Sequence, residues 1–169
     1  MPTDTARPQN GVEAFIGLGA NLGQARETVL DAAAEIATLQ GISHTELSPL
    51  YRSAPVDAGG PDYVNAVLFV ISTLTPDTLL RELQRIELEH GRSRPYRHAP
   101  RTLDLDLLLH GDERRDSDFL TLPHPRMHER AFVLQPLIDL RSALRLSQGS
   151  ASALLAACSD QRLERLDPT

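Results

Sequence analysis

Apolar and polar positions follow two rhythms along this chain, and the switches between them mark its elements. Phe15, Ile16 and Leu18 form a short apolar run among Gly17, Gly19 and Gly23, which predicts a buried strand ending in glycines and turning into a helix. Asn21 in that turn holds the loop and is a candidate cap for the helix. From Gln24 to Leu39 the apolar positions Val29, Ala33, Ile36, Ala37 and Leu39 have helical spacing, and Gly41 closes the run. Ile42–Tyr51 is a second strand candidate, Ser53–Asp62 a loop rich in glycine and proline, and Tyr63–Ile71 a third strand. Thr75-Pro76-Asp77 opens a second helix, with threonine as cap and proline at its first position, running to Gly91. In Leu103-Asp104-Leu105-Asp106-Leu107 the period is two, so the carboxylates leave one face of a strand and the leucines the other. Leu108 and Leu109 then continue it into a covered sheet. Phe119–Leu122 reads as a short strand, Phe132–Ile138 as a helix or turn, Ser150–Ala157 as a small helix, and Leu163–Leu166 as an edge strand.

The order strand, helix, strand, strand, helix, strand is the β-α-β-β-α-β pattern of a ferredoxin-like α/β sandwich, with a mainly antiparallel sheet flanked by helices. Residues 1–13 are polar and carry no apolar export run, so they read as a flexible N-terminal extension to a single domain spanning 14–169. No stretch approaches the roughly 20 apolar residues of a membrane span. A cytoplasmic protein is expected.

Charge sharpens the picture. The net charge is −6, which argues against nucleic acid as a partner. All 17 basic residues are arginine, and the absence of lysine excludes a lysine-based phosphate loop, a kinase strand lysine and a Schiff base. The lone Cys158 excludes an internal disulfide and a cysteine-rich zinc site, and its alanine- and leucine-rich surroundings read as core.

Against this acidic background, Arg92, Arg94, Arg97 and Arg101 crowd into the segment just before Asp104 and Asp106. Two residues along a strand span roughly 6.6 Å, so the two carboxylates can share one metal site or bridge a pair of ions. Carboxylate oxygens suit Mg²⁺, which joins proteins to substrate phosphates. Guanidiniums clamp phosphate oxygens through paired hydrogen bonds. Together they read as a site for a phosphorylated ligand. Gln84 and Glu87 lie one turn apart beside the arginine segment, Asn65 and Tyr63 share a face at the start of their strand, and His124 stands between two prolines. The Asn65 amide either satisfies a neighbouring loop or reads a ligand, and the His124 imidazole suits a phosphate better than zinc. The glycines at 17, 19 and 23 are one residue too widely spaced for a dinucleotide fingerprint.

Five motifs in this order, G-L-G-A-N-L-G, P-D-Y-V-N-A-V, R-I-E-L-E-H-G-R-S-R, P-R-T-L-D-L-D-L-L-L and L-P-H-P-R-M-H-E-R-A-F-V-L, resemble the 6-hydroxymethyl-7,8-dihydropterin pyrophosphokinase family of folate biosynthesis. The resemblance runs from about Ala14 to the C-terminus. It implies a single pyrophosphokinase domain that transfers the β,γ-diphosphoryl unit of ATP to the pterin hydroxymethyl group and releases AMP; a monomer is expected. It further implies that Asp104 and Asp106 hold two Mg²⁺ ions and that Arg92 and Arg101 are catalytic. Gln84, Glu87, Arg94, Leu107, Thr121 and His124 match nucleotide-contact positions, and Arg130 matches an arginine near the phosphates or the mobile loop. Tyr63 and Phe132 match the aromatic pair that sandwiches the pterin, Asn65 the amide that reads its edge, and Ser53 and Val56 backbone contacts beside it.

The chain departs from the family pattern at His98 and Ala99 in the loop expected to close as a lid, and at Ala20, Ala54 and Phe119. Rival readings of the acid pair are a metal nuclease, a glycosyltransferase, or a binding protein without turnover. The first two need a basic groove or a nucleotide-sugar domain, which the acidic balance and short chain do not supply, and the intact acids oppose the third.

Overall fold

The computed structural model describes residues 11–21, 24–54, 62–91 and 103–166. In chain order the elements are β1 (Val12–Ala20), α1 (Ala25–Ala37), β2 (Ile42–Leu47), β3 (Tyr51–Ser53), β4 (Tyr63–Ser72), α2 (Pro76–Gly91), β5 (Asp104–His110), β6 (Arg115–Asp116), β7 (Thr121–Leu122), a 3-10 turn at Met127–Glu129, α3 (Ala131–Leu140), β8 (Arg145–Leu146), β9 (Gly149–Ser150), α4 (Ala151–Ala156) and β10 (Leu163–Arg165). Six strands form one sheet in the order β10-β3-β4-β1-β5, with β2 paired to the same edge of β4 as β3. Every pairing is antiparallel. This is the ferredoxin-like arrangement, with the expected second strand broken into β2 and β3.

The first strand differs from its expected form. It does not end at the glycines but runs through Gly17 and Gly19 to Ala20, held on both sides by β4 and β5. It also begins at Val12, inside the segment read as an extension.

Alternation along the strands divides the interior. Ala14, Ile16, Leu18 and Ala20 of β1 pack with Val29 and Ile36 of α1 and Leu79, Leu83 and Ile86 of α2. On the opposite face, Phe15, Val67, Phe69 and Leu108 pack with Met127 and with Val133 and Leu137 of α3. The second helix starts as expected, its Thr75 hydroxyl accepting the Thr78 N–H at 3.2 Å. Ser150 caps α4 in the same way, through the Ala153 N–H at 3.1 Å. The α3 helix is tied to the sheet where the Tyr51 hydroxyl of β3 donates to Asp139, with Gln135 donating to the other oxygen of that carboxylate at 3.1 Å. Burial and the Asp139 carboxylate push the Tyr51 phenol up, so it stays a donor. Cys158 is buried among α3 and α4 residues, as expected, and burial raises its thiol pKa. Among the described residues no helix is long and apolar enough to cross a membrane.

A candidate active site on the bare end of the sheet

The period of two that builds the core also clears a space. On β1, positions 17 and 19 share the α3 face with Phe15, but they are glycines. Gly19 pairs with Asn65 of β4 on one side and Asp104 of β5 on the other, while Gly17 pairs with Val67 and Asp106. Each row therefore runs from β4 to an acid across a residue without a side chain. Strands lie about 4.8 Å apart, so the Asn65 and Asp104 backbones stand roughly 10 Å apart across an open floor. A Cβ at Gly19 would come within 3.2 Å of the Asn65 Nδ2 atom and 4.0 Å of the Tyr63 ring.

Over this floor is a cavity of about 330 Å³. It brings together Ser53, Tyr63, Asn65, Asp104, Asp106, Arg130 and Phe132, seven of the residues singled out from sequence. Asp104 is half-buried and Asp106 exposed, while Leu105 and Leu107 turn into the core, as the alternation predicts. A bulge in the β1–β5 pairing, where Phe15 and Ile16 face Leu109 and Leu107, leaves Leu108 as the extra residue. Leu108 and Leu109 thus both pack towards α3, and His110 turns to the other face.

The polar groups are held firmly. The Ser53 hydroxyl donates to Asn65 Oδ1 at 2.6 Å in a buried bond, which fixes the amide and leaves its nitrogen as donor. Glu87 reaches across from α2 and accepts the Leu105 N–H at 2.6 Å, between the two acids. β5 is an edge strand, and Glu87 satisfies a backbone group there that no neighbouring strand would meet. Arg130 and Phe132 sit at the start of α3, the guanidinium carbon 5.5 Å from the ring centroid. Gln161 braces that start by accepting the Ala131 N–H and donating to the Glu129 carbonyl, both at 2.8 Å.

His124 is anchored by its own N–H to the Leu108 carbonyl at 3.0 Å. Its Nδ1 accepts the Arg126 N–H at 3.2 Å, so the neutral ring carries its proton on Nε2. Burial pushes its pKa down, Asp106 works against that, and Arg130 and Arg126 add to it.

The other sequence candidates lie elsewhere. Gln84 is exposed on α2, Thr121 sits in the β6–β7 hairpin, and the Leu107 side chain is 3% exposed in the core beneath the helices. Val56, Arg92, Arg94 and Arg101, with His98 and Ala99, lie outside the described residues. Phe119 is 40% exposed, with the Arg81 guanidinium 5.1 Å from its ring centroid. Sequence reasoning missed Gly17 and Gly19 as the floor, Val133 in the wall and Gln161 as the brace. The glycines read only as the end of a strand. Gln161 carried no local signal.

No cluster of three or more histidine, cysteine or acidic side chains capable of holding a metal occurs among the described residues. The donor set is the Asp104 and Asp106 carboxylates. That set fits Mg²⁺, which takes one or two protein carboxylates and completes its shell with water and substrate phosphates.

Residues 15–142 match the model of the 7,8-dihydro-6-hydroxymethylpterin-pyrophosphokinase family. The chain belongs to that family. A 2-amino-4-hydroxy-6-hydroxymethyldihydropteridine pyrophosphokinase of Pseudomonas aeruginosa is 45% identical over 90% of this chain and 95% of its own length. The corresponding enzyme of Haemophilus influenzae is 40% identical over 93% and 99%. A solved HPPK-DHPS structure in complex with substrates shares the fold, with a TM-score of 0.71 and 11% identity over 88% of this chain. The present chain spans 43% of that longer one. The described residues of the pyrophosphokinase motifs fall on β1, the start of β4, the end of α2, β5, and the β7–α3 segment.

Proposed function

We infer that the floor between Asn65 and the acid pair is where this member of the pyrophosphokinase family performs its reaction. ATP donates its terminal diphosphoryl unit to 6-hydroxymethyl-7,8-dihydropterin, a step of folate biosynthesis. The observation that carries this reading is the row Asn65–Gly19–Asp104, which sets an amide and a carboxylate at the two sides of one cavity floor.

The flat pterin lies between Tyr63 and Phe132, whose π-faces suit a ring of similar size. The Asn65 amide nitrogen, fixed by Ser53, donates to its edge, and the backbones of Ser53 and Val56 flank it. The hydroxymethyl group then points along the floor towards Asp104 and Asp106. These two would hold the magnesium, two ions in this reading. When bound, magnesium neutralises charge on the triphosphate and aligns it with the acceptor hydroxyl. The hydroxyl oxygen bonds to the β-phosphorus and its proton passes to solvent water. The bond from that phosphorus to the oxygen of the α-phosphate breaks, and AMP leaves with the electron pair.

Arg92 and Arg101 grip the phosphates as charge moves towards AMP, a preorganised contribution of about 3–4 kcal/mol each. Gln84, Arg94, Thr121, His124 and Arg130 contact the nucleotide, and Leu107 does so through its backbone, since its side chain is in the core. Glu87 serves by holding the Leu105 N–H, which fixes the pitch at which the two acids leave the strand. A monomer is the working unit in this reading. The reaction runs in the cytoplasm.

Product identity tests the reading. Incubated with ATP, Mg²⁺ and the hydroxymethyl-dihydropterin, the protein yields AMP and the pterin diphosphate. ADP as product would replace this with an ordinary kinase, and binding without either nucleotide product would make it a binding protein.

A further inference from the structure

The start of α3 carries two cavity walls with open space beside them. A second cavity, of about 470 Å³, shares Ser53, Ala54, Arg130 and Phe132 with the first, so these residues form the partition between the two. Arg130 and Phe132 are both half-buried, whereas Ala131 between them is 3% exposed and packs into the cluster with Leu134 and Cys158. Burial there holds α3 in place, but it is non-directional and does not decide which cavity the neighbouring side chains face.

Gln161 supplies the direction. Arg130 is the N-cap of α3, its backbone extended at φ −123° and ψ 114°, and its side chain makes no capping bond. The first N–H groups of a helix must be met from outside it. Gln161 meets one, accepting from Ala131, and its amide nitrogen donates to the Glu129 carbonyl, both at 2.8 Å. An N–H can only donate and a carbonyl only accept, so these partners leave the amide one orientation. The two bonds straddle Arg130 as the backbone of a paired strand would. Gln161 is itself exposed, so it acts through these bonds and not through packing. Its own N–H donates to the Cys158 carbonyl at 2.9 Å, and two residues on Leu163 pairs with Ser53 of β3. It stands beyond residue 142, where the family match ends.

We propose that Gln161 is a positioning residue for the reaction: by holding the backbone on both sides of Arg130, it keeps Phe132 against the flat substrate ring and out of the second cavity. The inference rests on the pterin reading of the first cavity and deepens it.

Calorimetric titration of the full chain with hydroxymethyl-dihydropterin, in the presence of a non-hydrolysable ATP analogue and Mg²⁺, tests this through a double-mutant cycle. Gln161→Met keeps the length of the side chain and removes both bonds, and Phe132→Leu removes the ring from the wall. Gln161→Met should weaken pterin binding about tenfold, the weight of one or two ordinary hydrogen bonds. In the Phe132→Leu background the same change should weaken it by no more than about twofold, because effects that run through a shared partner do not add. Gln161→Glu, which keeps an acceptor for Ala131, should fall between Gln161→Met and wild type. Arg162→Ala borders the second cavity, leaves both bonds intact and should bind as wild type does. Pterin affinity within twofold of wild type in Gln161→Met overturns the proposal. So does an equal loss in both backgrounds or in Arg162→Ala, the signature of a merely structural segment, and so does failure of both position-161 variants to fold. Wild-type protein that binds no pterin, or Phe132→Leu that binds it unchanged, would instead overturn the reading of the cavity on which the inference rests.

Discussion

The two faces of β1 put one stretch of chain to opposite uses. Towards α1 and α2 it presents Ala14, Ile16, Leu18 and Ala20, none more than 2% exposed. Towards α3 it presents Phe15 and then Gly17 and Gly19, which hand their space to the cavity. The first face holds the sheet by burying apolar surface. The second lines a cavity, so the acids of β5 and the amide of β4 border one space. Stability and chemistry are thus carried by alternate residues of the same strand. Changes on one face should be felt mainly in melting, and changes on the other mainly in ligand binding or turnover.

The acids give this contrast its largest test. Asp104→Ala or Asp106→Ala should lower turnover by on the order of a thousandfold, as loss of a preorganised charge at a reacting group does. Both carboxylates sit at the rim, outside the hydrophobic clusters, so melting should move little. Steady-state AMP release and a thermal melt on the same samples check the pair of expectations. Near-normal turnover in Mg²⁺ for either variant would remove the acids from the metal site.

A matched pair on β1 separates the faces directly. Gly19→Val places branched carbon where the Asn65 amide and the Tyr63 ring already lie at 3.2 and 4.0 Å from a bare Cβ. Pterin affinity should fall about a hundredfold by overpacking of the floor, with a smaller change in melting. Ile16→Ala, three residues away and 0% exposed, should cost about 2–5 kcal/mol of stability. Folded protein carrying it should bind pterin as before. Equal losses of binding and stability in both variants would erase the division of labour.

Much of this was legible in the order of residues. Leu103 to Leu107 announced both the strand and the side its acids take, and the Thr75–Pro76 start of α2 was plain from capping chemistry. Three features were not legible, each for a physical reason. Gly17 and Gly19 read as a strand end, because glycine is a poor strand former by itself. Here pairing on both edges overrides that preference. The bulge at Leu108 is a property of two strands together, and L-L-L looks alike in either register. Glu87 and Gln161 act through backbone groups 18 and 30 residues away, and no local pattern encodes a contact across that distance.

The smallest expected effect lies at the far end of β5, where the bulge has turned a histidine inward. His110 is 5% exposed and its Nε2–H donates to the Leu74 carbonyl at 3.0 Å. Burial dominates and pushes its pKa below the ordinary value, with that bond and Glu113 opposing and Arg115 adding. The unfolded chain therefore takes up a proton, near pH 6.5, before the folded one does. The stability contribution is complete above that pH and declines as pH falls through it. His110→Gln retains a donor for Leu74 but cannot charge. Between pH 8 and pH 5.5 its melting temperature should fall less than that of wild type, while AMP release at pH 8 stays near wild type because the cavity lies at the other end of the strand. Parallel pH slopes for the two proteins would show that the inward turn of His110 carries no titration cost.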